Sequence, residues 1–261
     1  RGGRLFYLGS CTSGRLGVLD ASECPPTFHC DPRNVVGVIA GGDSALRKSS
    51  EGMEDDPDGA RGELERLNVD ARDVVVGIAA GGTTPYVLGG VAIARQRGAR
   101  TALITCAPCR RTVPVRNGNA DEQVPSEACG PGQSADVIDH VIAFPVGPEV
   151  VTGSTRMKAG TATKLALNMI STATMVQLGK TWGNLMVDLR ATNDKLRDRA
   201  ARIIVSQCDV DRAGAFALLD AAEGRVKVAL VMGRRGCSAD DAVALLDEHN
   251  GQLRAILGEP R

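Results

Sequence analysis

Apolar runs rich in Val, Ile and Leu at 5–8, 35–40, 74–80, 102–105 and 137–146 alternate with longer mixed segments. Strand-length runs of this kind predict strands covered on both faces. Their alternation with helix-length segments predicts an α/β fold around a doubly wound parallel sheet. The runs lead into Gly9-Ser10, Gly41-Gly42 and Gly81-Gly82. Glycine-rich turns after parallel strands gather at the carboxyl edge of the sheet, where open α/β sheets take their ligands. Crossover helices are predicted at 58–67 and 85–97, where Leu64, Leu67, Val87, Val91 and Ala94 recur at helical spacing.

The stretch GSCTSGRLGVLDASECPPTF, residues 9–28, carries the first of these turns. A strand, a turn of small residues and a short helix make an anion site, because free backbone N–H groups and the helix dipole converge there. Thr12 and Ser13 add hydroxyl donors, and Arg15 a charge. A small-residue strand-to-helix turn that binds nothing is the plain alternative. Glu23 stands before Cys24-Pro25-Pro26, where a diproline turn would hold its carboxylate near the anion site. The second turn, Gly81-Gly82-Thr83-Thr84-Pro85, places Gly82 and the hydroxyls of Thr83 and Thr84 toward the same ligand, although Thr84 also suits a helix cap before proline.

Farther along, Glu51, Glu54, Asp55 and Asp56 form an acidic run that, taken alone, reads as a solvated helix end. The longest helical pattern runs from Gly153 to Leu178, capped by Ser154 or Thr155, with Leu165, Met169, Ala173 and Val176 in one stripe. Glu149, Ser154 and Lys158 near its start are candidates for lining the pocket, with capping and surface charge as the other reading. Residues 107–135, rich in Pro, Gly and Asn, read as a flexible insertion. Short helices are predicted across 192–257, one of them opened by a capping-box pair, Ser238 and Asp241. The expected division is a domain at 1–190 and a small C-terminal helical domain at 191–261.

Totals exclude some partners. The 31 basic and 31 acidic residues cancel, which favours neither nucleic acid nor an anionic membrane surface. No apolar run reaches the length of a membrane span. Eight scattered cysteines form no disulfide framework and read as reduced cytosolic thiols. Cys106 and Cys109 make a CxxC with no matched second pair, so no metal site is expected.

The stretch 9–28 resembles the signature of the N-acetylmuramic acid 6-phosphate etherases, a branch of the sugar isomerase (SIS) phosphosugar-binding family. VVGVIAGGDSALRKSSEGMEDD (35–56), VVVGIAAGGTTPYVLGG (74–90) and the block from Val146 to Leu189 agree in order and spacing. The resemblance implies an SIS-type α-β-α sandwich, a phosphosugar substrate, no cofactor, a homodimer and a cytoplasmic location. It also implies a helical segment before the first strand, so the sequence is expected to begin inside a longer protein. Glu23 and Glu54 match the family's two functional glutamates, the first as acid toward lactate and the second as base at C2. Cys11, Gly81 and Thr83 depart from the family, which usually has Gly, Ser and Arg there. A non-catalytic phosphosugar-binding module is the alternative, since the glucokinase regulatory protein shares the family.

Overall fold

The computed structural model describes residues 2–108, 138–189 and 193–261. The expected insertion at 107–135 lies almost wholly outside them. Contacts divide the chain into one unit of Arg1–Glu23 with Asp31–Met169 and a second of Cys24–Cys30 with Ile170–Arg261. This division falls earlier than residue 190, and it draws a short piece near the amino end into the second unit.

In the first unit, β1 (Leu5–Gly9), β2 (Val35–Ile39), β3 (Val74–Ile78), β4 (Arg100–Thr105) and β5 (His140–Ala143) form one parallel sheet in the order β2-β1-β3-β4-β5. The expected strands are all present, most of them a residue or more shorter. The order reverses between β1 and β3, which makes their carboxyl ends the topological switch point. Successive side chains of β1 take opposite faces. Phe6 and Leu8 pack with Val75, Val87, Val91 and Leu103 in a core that α2 (Arg61–Arg66) and α3 (Pro85–Gln96) cover. Tyr7 points the other way, and its hydroxyl donates to the Leu167 carbonyl of α4 (Lys158–Gln177) at 3.4 Å.

That second face also receives α1 (Cys11–Phe28). A Cβ on Gly37 of β2 would lie 2.6 Å from the Val18 Cα, so only glycine lets the helix lie this close to the strand. The sequence predicts a short helix ended by a diproline turn. The structure corrects this: α1 has 18 residues, and Pro25 and Pro26 lie inside its last turns. Each proline withholds one N–H, so the carbonyls of Ala21 and Ser22 go without their usual helical donors.

The second unit is helical, as expected of 192–257. It contains α5 (Asp194–Cys208), α6 (Arg212–Ala221), α7 (Val226–Arg235), α8 (Ala239–Glu248) and α9 (Leu253–Leu257), with a small hairpin of β6 (Thr181–Trp182) and β7 (Leu185–Met186). Trp182, Ile204, Leu219, Leu230 and Ile256 are among its buried core. The predicted capping box is present: Ser238 accepts from the Asp241 N–H while the Asp241 carboxylate accepts from the Ser238 backbone.

Candidate active site

β1 and β3 are parallel neighbours with Gly9 opposite Ile78, so the first turn of α1, with Thr12 and Ser13, and the loop with Gly82, Thr83 and Thr84 leave one edge of the sheet side by side. Gly82 takes a positive φ of 75°, which lets the turn double back into α3. Thr84 stands at the cap position of α3 but makes no side-chain capping bond, so its hydroxyl is not spent on the helix. Thr83 is exposed and Thr84 half-buried. Gly81 has ordinary backbone angles, and a Cβ there would meet only the Thr83 Oγ1 at 3.8 Å. The serine usual in the family would therefore fit without strain. Cys11 differs: its φ is 48°, a left-handed conformation that costs a side-chain-bearing residue about 1–2 kcal/mol.

Glu54 arrives from the loop after β2. Gly41 and Gly42 both take positive φ and turn the chain, and a 3-10 turn, Glu51–Met53, ends at Glu54. Arg15, a candidate charge for the anion site, instead donates to the Leu46 and Lys48 carbonyls and braces this loop. Glu51, Asp55 and Asp56 are exposed, as a solvated run should be, whereas Glu54 turns inward and is half-buried. Its carboxylate accepts from the Ser10 hydroxyl at 3.1 Å, and its carbonyl accepts from the Tyr86 N–H at 2.9 Å. Glu54 is thus tied to the end of β1 by its side chain and to the start of α3 by its backbone. The Tyr86 hydroxyl is pushed up to about 12, by burial first and by the charge of Glu63 second, and stays protonated at neutral pH.

The first turn of α4 closes the other side, since a Cβ on Gly160 would lie 3.6 Å from the Thr12 methyl. This helix begins at Lys158, later than the predicted start at Gly153. Its first N–H groups are not met by Ser154 or Thr155 but by Glu149, whose carboxylate accepts from Lys158 and Ala159 at 3.0 Å each. The Ala159 and Lys158 N–H bonds hold the Glu149 carboxyl below its usual range. Lys158 donates its ammonium to the Pro148 carbonyl at 2.9 Å. Ser154 is half-buried, with its N–H on the Val151 carbonyl.

The structure therefore brings Thr12, Ser13, Gly82, Thr83, Thr84 and Glu54 to one edge, with Glu149, Ser154 and Lys158 around the start of α4. It does not bring Glu23 to them. Glu23 is exposed, deep in α1, and thirteen residues of helix at a rise of about 1.5 Å each carry it about 20 Å from Ser10. Ser10 is a residue that sequence reasoning passes over, because its partner is 44 positions away. Among the described residues no group of three or more His, Cys, Asp and Glu is placed to hold a metal ion. Cys106 of the CxxC is buried, its sulfur near the Ala159 carbonyl and the Thr163 hydroxyl, and burial pushes its thiol up. Cys109 lies outside the described residues.

A parallel sheet of this order, with hydroxyl-bearing segments at its switch point, defines a doubly wound α/β domain with its ligand edge at the carboxyl ends of β1 and β3. Residues 1–95 match the family model described as the glucokinase regulatory protein N-terminal SIS domain. The relatives narrow this further. An N-acetylmuramic acid 6-phosphate etherase of Prochlorococcus marinus (strain MIT 9313) is 52% identical over 98% of this chain and 74% of its own length. One of Gloeobacter violaceus (strain ATCC 29082 / PCC 7421) is 54% identical over 88% of this chain and 68% of its own. The chain belongs to the N-acetylmuramic acid 6-phosphate etherase family.

Proposed function

We propose that the chain cleaves the D-lactyl ether at C3 of N-acetylmuramic acid 6-phosphate, releasing D-lactate and N-acetylglucosamine 6-phosphate. The observation that carries this reading is Glu54, turned out of an otherwise solvated acidic run and anchored beside two phosphate-type turns. Removing the C2 proton needs a carboxylate fixed beside the phosphate site, whereas holding the phosphate needs none. The etherase names of the relatives support the catalytic reading over that alternative.

Thr12, Ser13, Thr83 and Thr84 hold the 6-phosphate with the backbone N–H groups of the two turns. In the ring-opened aldehyde the C2 proton is acidic, because the electron pair left behind is delocalised onto the C1 carbonyl. Glu54 takes that proton. The pair then forms the C2–C3 double bond as the C3–O bond breaks, and the departing lactate oxygen takes a proton from an acid at C3. The family resemblance gives Glu23 that role, but in its own chain Glu23 stands about 20 Å down α1 from Ser10. Water adds back across the double bond, its oxygen to C3 and a proton to C2. The carbonyl supplies the electron sink, so the chemistry calls for neither metal nor organic cofactor. This makes the protein a carbon–oxygen lyase of cytoplasmic cell-wall sugar recycling that works as a homodimer. The dimer is supported by Leu19 of α1 and Leu165 and Met169 of α4, exposed apolar residues on helices that flank the sheet.

The test is D-lactate release from the 6-phosphorylated sugar by purified protein, with Glu54→Ala beside it. Glu54→Ala lowers turnover about 10²–10⁴-fold and stops solvent deuterium from entering C2 of N-acetylglucosamine 6-phosphate. Wild-type protein that binds the phosphosugar without releasing lactate overturns the proposal.

A further inference from the structure

We infer that Gly81 and Thr83 act as one unit: the Thr83 hydroxyl binds the phosphate beside the volume that a side chain at position 81 would fill, and Gly81 stays bare to leave it that room. The inference rests on the phosphosugar reading above and adds how the second turn makes its contact and why one of its residues carries no side chain.

An anion at a helix start ordinarily meets free N–H groups. In the first turn of α3 they are spent. Pro85 has none, the Tyr86 N–H donates to the Glu54 carbonyl at 2.9 Å, and those of Val87 and Leu88 donate to the Thr84 carbonyl at 3.1 Å each. The Gly82 N–H is turned back onto the Ala79 carbonyl at 2.9 Å. Side-chain hydroxyls therefore matter more on this side of the ligand than a helix start alone would suggest. Most hydroxyls along the edge are spent on the protein: Ser10 donates to Glu54, Ser50 to the Ala40 carbonyl and Thr105 to the Ala80 carbonyl, at 3.1, 3.0 and 3.2 Å. The Thr83 hydroxyl is exposed and has no hydrogen-bond partner among the described residues.

Gly81 gives the reason that it stays free. Position 81 is not among the residues with positive φ, so the backbone does not demand glycine there. Packing does not demand it either, because a Cβ at 81 would have one neighbour within 4 Å, the Thr83 Oγ1 at 3.8 Å. A hydroxyl at 81 would stand one bond beyond that Cβ, within reach of the same oxygen. Two hydroxyls so placed bond each other or compete for one phosphate oxygen, whereas a bare Gly81 leaves the Thr83 donor to the ligand. Gly82, buried with a φ of 75°, and Pro85 at the start of α3 hold Thr83 between two fixed points, so its hydroxyl is presented in one place.

Four proteins test this: wild type, Thr83→Ala, Gly81→Ser and the two changes together, each titrated with N-acetylglucosamine 6-phosphate by calorimetry. Losing a hydroxyl that donates to a charged phosphate weakens binding about tenfold or more, and Thr83→Ala is expected to show that loss. Gly81→Ser is expected to recover most of it where the hydroxyl at 83 is gone, and to add little where it is present. Thr83→Ser, which keeps the hydroxyl, is expected to bind like wild type. Inorganic phosphate, titrated by phosphorus NMR, is expected to rank the four proteins in the same order. Thr83→Ala that binds both ligands like wild type overturns the inference. So does a serine at 81 that adds the same affinity in both backgrounds, because the two positions then act independently. Wild-type protein that gives the expected pattern but releases no lactate would refute the etherase reading and leave the paired action of Gly81 and Thr83 standing.

Discussion

The Ser10 hydroxyl sits at the last position before α1 and donates to Glu54. It is 6% exposed, so the bond is sheltered from competing water. A neutral donor on a carboxylate contributes about 1.5–3 kcal/mol, mostly by fixing where the carboxylate points. Ser10→Ala is expected to lower kcat about tenfold or more with KM little changed, and Ser10→Thr to restore most of it. Equal losses in kcat/KM for both variants would mean that the hydroxyl only fills space. Nothing in the order of residues marks Ser10 for this role. Nor does it mark Glu54 among four neighbouring acids without the family resemblance, because the contact that selects it closes a loop of 44 positions.

Two helices depart from their sequence reading, each at one end. The diproline predicts a turn, yet α1 continues through it and ends with the His29 N–H on the Pro25 carbonyl. In α4 the hydroxyls nearest the predicted start do not cap; Glu149 reaches from before the helix to take its first N–H groups. The Leu165, Met169, Ala173 and Val176 stripe, which patterning alone would send into a core, is exposed, while Ala166, Leu167 and Met175 are buried. Glu149→Ala is expected to fray the first turn of α4, read as faster amide exchange at Lys158 and Ala159. The carboxylate is held below its ordinary value by those two N–H bonds. Its contribution is therefore full above the unfolded value of about 4.3 and lost as pH falls through the folded one, and Glu149→Ala should erase that part of the acid response.

At the scale of the whole molecule, Asp73 is 1% exposed at the amino edge of the sheet and paired with Arg4 at 2.6 Å. Burial pushes its carboxyl up, but the Arg4 side chain and the N–H groups of Asp70 and Arg4 outweigh it, leaving the value below the ordinary range. The pair thus stabilises the fold above the unfolded value of about 3.9 and fails as pH falls through the folded one. Asp73→Asn is expected to cost about 3 kcal/mol in urea unfolding at neutral pH, because Arg4 is left without its counter-charge, and to flatten the acid limb of the stability profile. The sheet, the order of its strands along the chain and the ligand edge were legible beforehand, because strand-length apolar runs and glycine turns are local signals that α/β packing leaves few ways to satisfy. So were the turns at Thr12-Ser13 and Gly82-Thr84, since both follow such runs. The start of α4, the selection of Glu54 by Ser10 and the separation of Glu23 from it were decided by tertiary structure alone. The last two depend on a partner 44 positions away and on how far a helix carries a residue from its strand, and the first on a carboxylate nine residues before the helix, none of which is marked in the residues beside it.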